Sequence, residues 1–286
     1  MLFQERLQKI EQELSSEVKK LIKIAIDKQN HNGNLLLVYL NCWYESDSNG
    51  ESKYQIGHGT IGLSDITHYK FIDSYRRNIN VRTSTQEFYH KMEDIDSEFE
   101  EFTVSIEMLI YLKIWENDMF LKTWYQFLNI LSGIDYDWEF KLKDFNNDEG
   151  ISNRPDLIRN VFKDGLSNYS EAIKEHINIA YKQQVRNAIA HSNYYFFGRQ
   201  ITLTNYNCND KYNIIEKLTY EDWYSMFHSA IMIHNSYLLL KSEINNYYTE
   251  LYKETRNPIE VVCNHNSQTI IANYIKNDND EWVSID

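Results

Sequence analysis

Residues that interrupt regular backbone are scarce: two prolines, Pro155 and Pro258, and nine glycines in 286 residues. With so few breakers in a chain rich in Leu, Ile, Tyr and Lys, an α-rich fold of long helices is expected. Cysteine is equally sparse. Cys42, Cys208 and Cys263 are odd in number, far apart and in no metal-ligand spacing, which argues against a disulfide framework and a zinc site and leaves reduced thiols. No run approaches the ~18 apolar residues of a membrane span. The opening MLFQERLQKIEQEL is charged from its fifth residue, so neither a signal peptide nor a transmembrane helix is expected, and a cytoplasmic protein with no membrane partner is. Basic residues are the minority, 29 against 42 acidic, for a net charge of −13. That balance disfavours broad, sequence-independent wrapping of nucleic acid.

An apolar content of 42% can build a sizeable core, as one large domain or a domain with an appendage. Residues 2–29 step apolar side chains by three or four, from Phe3 and Leu7 to Leu21 and Ala25, which predicts an amphipathic helix stopped by His31, Asn32 and Gly33. Residues 34–44 and 53–63 read as two strands, with Gly57 and Gly59 at a bulge and His58 as a turn histidine rather than a ligand. The acidic run from Glu93 to Glu101 reads as a solvated helix start, not a metal strip, because no Gly-centred loop shapes it. Residues 102–132 predict one central core helix ended by Gly133. Its polar island, Glu116-Asn117-Asp118, either bends the helix or gives Glu116 a partner in Arg186.

Tyr136 and Trp138 flank Asp137 in a loop expected to pack on the core with its polar ends satisfied. Residues 144–153 read as a loop; Pro155 opens a short helix and Gly165 closes it. Ser170 is the expected N-cap of the next helix, which runs on to His191. Thr219 and Asp222 form a capping box opening a last helix to about Glu254, with His228 and His234 as structural histidines. Beyond Pro258, IEVVCNH, QTIIANYI and EWVSI read as short strands. The expected divisions are an α+β region over 1–100, a helical domain over 101–256 and a β appendage over 257–286.

The stretch YKQQVRNAIAHSNY, from Tyr181 to Tyr194, carries the residue types of a reactive site. Asn187 and His191 are four apart and share a helix face, and Arg186 is long enough to reach it. A histidine titrates near neutrality, at about 6.5 in the absence of perturbation, so it can move a proton at working pH. A guanidinium stays charged and takes phosphate oxygens in pairs. Arg186, Asn187 and His191 together therefore suit the grip and cleavage of a phosphodiester. Residues 151–200 hold seven basic and four acidic residues, +3, leaving −16 elsewhere. That is either a small cationic site on an acidic body or an ordinary solvated helix surface.

Arg-Asn-Ala-Ile-Ala-His, followed by the apolar hairpin YYFFGRQITLTNY and set among long helices, resembles the HEPN superfamily of all-α domains over about Phe102 to Tyr252. The resemblance implies a mainly α, HEPN-like bundle with a small β-hairpin after the motif helix. It implies a metal-independent endoribonuclease, without cofactor, of the kind found in toxin-antitoxin, abortive-infection and other antiviral defence systems. Arg186, His191 and Asn187 would be catalytic, Glu116 would support Arg186, and Lys182 and Arg199 would contact RNA. In such nucleases the 2′-hydroxyl attacks to leave a 2′,3′-cyclic phosphate, and two motifs face one another across an interface. One copy of the motif then implies a homodimer with a composite site, and a toxin role implies a cognate antitoxin protein. A non-catalytic HEPN-like module that binds RNA or a partner protein is the alternative. A metal-dependent nuclease is disfavoured, since no compact Asp/Glu/His cluster appears.

Overall fold

A computed structural model of the chain describes residues 3–46, 52–55, 97–142, 153–265 and 268–285. Gly57, His58, Gly59, the acids from Glu93 to Asp96 and most of the 144–153 loop lie outside them. The protein is mainly helical with small antiparallel sheets. No helix among the described residues is long and apolar enough to cross a membrane. The described residues gather into two compact units, each assembled from separate stretches of chain.

The first unit takes residues 3–14, 97–117 and 171–235. It holds the start of α1 (Phe3–Lys28), α3 (Ser97–Trp115), α6 (Glu171–Ala180), α7 (Gln183–Ala190), a sheet of β3 (Tyr194–Phe196), β4 (Gln200–Leu203) and β5 (Lys217–Thr219), and the start of α8 (Tyr220–Thr255). Its core is aromatic. Tyr111 and Trp115 on α3 lie against Trp223 and Tyr181, with ring centroids 5.5 and 5.0 Å apart, and Trp223 stacks on Phe227. A carboxylate survives in this interior because the buried Trp223 indole donates to Glu107 at 2.8 Å. The expected capping box is present: Asp222 donates its amide to Thr219 Oγ1, and Asp222 Oδ2 accepts from the amide and hydroxyl of Thr219.

The second unit takes residues 15–46, 52–55, 118–142, 153–170 and the described residues from 236 on. It holds the end of α1, α2 (Asn34–Leu40), the hairpin β1 (Trp43–Ser46) and β2 (Ser52–Gln55), α4 (Asp118–Leu131), α5 (Arg154–Ser167), the end of α8, and a sheet in the order β6 (Ile259–His265), β7 (Gln268–Lys276), β8 (Trp282–Ser284). The three C-terminal strands are as the sequence predicts.

Several expectations change here. Residues 34–40 form a helix, not a strand: Leu35, Leu36, Leu37, Val38 and Leu40 are all buried and Tyr39 is partly so, which leaves no apolar–polar alternation to mark it. The strand begins only at Trp43. Gly33, before α2, is needed for close approach, since a Cβ there would sit 2.1 Å from the carbonyl oxygen of Glu260. The single helix expected over 102–132 is two helices with a break at Glu116 and Asn117. Phe102 and Leu109 on α3 are exposed rather than core. The helix after Pro155 runs through a π-helical stretch, Leu157–Lys163, to Ser167. Gly165 does not stop it; a Cβ there would lie 3.3 Å from Leu128, so the glycine serves packing.

The loop of Tyr136 and Trp138 packs as expected, with both rings buried and Tyr136 Oη donating to the Cys42 carbonyl at 2.7 Å. Lys122 Nζ donates to the same carbonyl at 2.6 Å. Burial pulls this lysine down to about 8, against the opposing pull of the Cys42 thiol and Asp137.

Candidate functional site

The motif occupies a short helix of its own. The expected run from Ser170 to His191 is interrupted at Tyr181 and Lys182, and α7 starts afresh with Lys182 as an extended N-cap, φ −124°. The reason lies on α3. The Lys182 amide donates to the buried Tyr111 hydroxyl at 3.3 Å instead of continuing the helix, and burial pushes that phenol far above its ordinary range. Buried Gln184 then fastens the first turn of α7 to the loop before β5: its side chain donates to the Ile215 carbonyl and accepts from the Ile215 amide, at 2.7 and 2.9 Å. Asn205 completes this seam by donating to the Gln184 carbonyl. Val185 and Ala188 face the core and pack α7 against α3.

Seated this way, α7 turns Arg186 and Asn187 to its half-buried flank. Arg186 donates from Nε to Glu116 Oε1, just past the end of α3, with Nη2 in ion-pair contact with the same oxygen, and donates from Nη1 to Asn187 Oδ1 at 2.8 Å. The structure thus brings Arg186, Asn187 and Glu116 together, and gives both uses to the polar island: it breaks the helix, and it holds the guanidinium. The amide oxygen of Asn187 thus serves Arg186.

His191 is the C-cap of α7 and is exposed. Its ring makes no hydrogen bond to the described residues, while its amide donates to the Asn187 carbonyl at 3.0 Å. The helix ends in a Schellman arrangement: Ser192, at φ +55°, donates to the Ile189 carbonyl and Asn193 to that of Ala188. A left-handed residue fixed by two such bonds sets the direction in which His191 leaves the helix.

The flanking cations fare differently. Lys182 is exposed at the N-cap. Arg199, in the β3–β4 turn, is 69% exposed but pairs with Glu100 at 2.8 Å, so part of the acidic helix start is not simply solvated. This pair joins residues ninety-nine apart in sequence, which no local pattern reveals. The hairpin forms where expected, Gly198 taking φ +56° in its turn, but β5 adds an unforeseen third strand. Among the described residues no group of three or more His, Cys, Asp or Glu could hold a metal. An open cleft of about 490 Å³ in the second unit, lined by His31, Thr255, Asn257 and Glu260 among others, contains none of the motif residues.

No protein-family model matches the chain, and neither a curated protein nor a solved structure matches it.

Proposed function

We propose that this chain is a HEPN-type, metal-independent endoribonuclease acting in the cytoplasm as part of a toxin-antitoxin or other defence system. The supporting observation is a guanidinium held in place by two acceptors, Glu116 and Asn187, one helical turn from a solvent-facing imidazole. Arg186 spends one N–H of Nε and one of Nη1 on these acceptors, and its Nη2 is in ion-pair contact with Glu116. The rest of the guanidinium fork is what would meet phosphate oxygens.

RNA supplies the nucleophile. The 2′-oxygen bonds to phosphorus as the bond to the 5′-oxygen breaks, giving a 2′,3′-cyclic phosphate and a 5′-hydroxyl. One proton leaves the 2′-hydroxyl and another reaches the 5′-oxygen. Arg186 offsets the charge that builds on the phosphoryl oxygens. His191 carries one proton transfer, and the His191 of a second copy carries the other, so the working form is a homodimer with a composite cleft. A cognate antitoxin protein would hold such an activity in check.

The same clamp supports a second reading, a non-catalytic module in which Arg186 ties α3 to α7 and RNA or a protein is only bound. RNA cleavage in EDTA by the unsubstituted chain, Arg186→Ala and His191→Ala separates the two. Cleavage that survives chelation and falls at least about 100-fold in both variants is the expected result. Binding without cleavage selects the second reading, and cleavage only with added divalent ions overturns both.

A further inference from the structure

We propose that the solvent face of the β3–β5 sheet is a stacking platform for single-stranded RNA, with Tyr195 and Phe197 as its rings and Lys217 as its phosphate contact. Strand register divides the sheet into two faces. Tyr194 pairs with Leu203, and Phe196, Ile201 and Leu218 form a row, all on the side where Leu203, Ile201 and Leu218 are buried. Tyr195, Thr202 and Lys217 form the neighbouring row on the other side, where Thr202, in the middle strand, is buried and the two outer residues are exposed. Phe197, opposite Gln200 through its amide, continues that side. There the rings are left in water, Tyr195 52% and Phe197 75% exposed. Two large exposed rings side by side on one face form the kind of apolar patch that marks an interaction site.

Nucleic acid fits the chemistry of this face. Every base offers a π surface, and sequence-tolerant binders combine such rings with cations. β3, β4, β5 and the turn between the first two carry Arg199 and Lys217 and no acidic residue, on a chain of net charge −13. Glu100 neutralises Arg199, whereas Lys217 makes no ion pair with the described residues, which makes Lys217 the available cation. Two residues along a strand advance about 6.6 Å, close to twice the 3.4 Å step of stacked bases, so the two rings can clasp one base between them. The platform is also joined firmly to the motif. Asn193 donates to the Ala188 carbonyl of α7 and accepts from the Thr204 amide just past β4, so helix end and hairpin are hydrogen-bonded through one residue. RNA stacked here would lie beside His191, and to that extent the proposal rests on the RNA-cleaving reading.

The test measures the affinity of a fluorescein-labelled, unstructured RNA of about 12 nucleotides for the His191→Ala chain, which does not cut it. Adding Tyr195→Ala or Phe197→Ala should weaken binding at least about fivefold each, while Tyr195→Phe and Phe197→Tyr hold it. Lys217→Ala should lower the salt dependence by about one phosphate. A duplex of the same length should compete poorly, because its bases are already stacked. Should an alanine variant melt early, leucine at each position keeps bulk, removes the π face and decides the matter. Unchanged affinity in the Tyr195→Ala/Phe197→Ala double variant, or no binding before substitution, overturns the platform. A double variant that binds RNA normally but sediments as a monomer where its parent is a dimer assigns the face to a second copy and also overturns it. RNA held through both rings but never cut by the unsubstituted chain removes the nuclease reading alone; cutting with ring-independent affinity removes the platform alone.

Discussion

Glu116→Ala, Arg186→Ala and their double variant test whether the clamp positions the guanidinium or merely accompanies it. One oxygen of Glu116 accepts from Arg186 Nε and forms an ion pair with its Nη2, and the residues are seventy apart in sequence, so the pair fastens the end of α3 to α7. Exposed ion pairs couple by about 0.2–1 kcal/mol, and removing one partner of a buried pair costs about 3–5 kcal/mol. At 22% and 37% exposure, Arg186 and Glu116 fall between these limits. Solvent reaches both groups, and Asn187 still holds Nη1 when Glu116 is gone. The expected coupling energy is therefore about 1–2 kcal/mol, read from urea unfolding of the four proteins and reduced in high salt. Glu116→Gln, which keeps an acceptor but no charge, should lie between. For cleavage, loss of positioning by a group that itself touches no substrate should lower kcat about 10–100-fold with a smaller change in KM. A coupling below about 0.3 kcal/mol would show that the two side chains are neighbours without consequence. Faster cleavage in Glu116→Ala would refute the positioning role more directly, because the carboxylate would then be competing with phosphate for Arg186.

Ser192 holds φ +55° without being glycine. Ser192→Gly should stabilise the chain by about 0.5–1 kcal/mol, whereas Ser192→Val should destabilise it and reduce cleavage by redirecting His191, both visible in thermal melts beside activity. His228 is buried, and burial first, then the Arg6 charge, hold its imidazole down to about 3 from an ordinary 6.5. Between those values the unfolded chain binds the extra proton, so this contribution is complete above about 6.5 and is lost as pH falls toward 3. His228→Phe should flatten the acid limb of a stability–pH curve over that window, and an unchanged limb would show that other groups drive acid unfolding.

What could be read in advance depended on whether a signal is local and one-sided. The steps of three and four from Phe3 to Ala25 and the pairing of Thr219 with Asp222 are written within single segments, and the helices they announce are there. Residues 34–40 misled because a largely buried helix has the same apolar run as a buried strand. β5 left no trace, since a strand of three residues with Leu218 alone facing inward has no period to detect. Within the site, Arg186, Asn187, His191 and Glu116 drew notice by type and spacing. Their mutual arrangement did not: that Asn187 turns to Arg186 and not to His191 follows from where α7 starts, and that start is set by Tyr111, seventy-one residues away. Gln184 is buried, but its pairing with Ile215 depends on a loop whose path the sequence leaves open. The exposed rings of Tyr195 and Phe197 had a signal, an aromatic run beside a turn, but which alternate rings face water is fixed only by the register with β4.

The edge of the guanidinium left over decides how the two functional readings divide. Glu116 occupies the side defined by Nε and Nη2, and it uses one carboxylate oxygen for both contacts. A side-on phosphate would have to displace that carboxylate. An end-on phosphate uses hydrogens of Nη1 and Nη2 on the side away from Glu116, so that carboxylate need not move. In the second case Glu116 is an asset: it fixes the plane of the guanidinium before substrate arrives, so no ordering is required as charge develops. An acidic side chain in the heart of an anion-binding site is then no contradiction. In the same way, the overall charge of −13 sets long-range repulsion, while affinity is settled by the few groups that meet the strand.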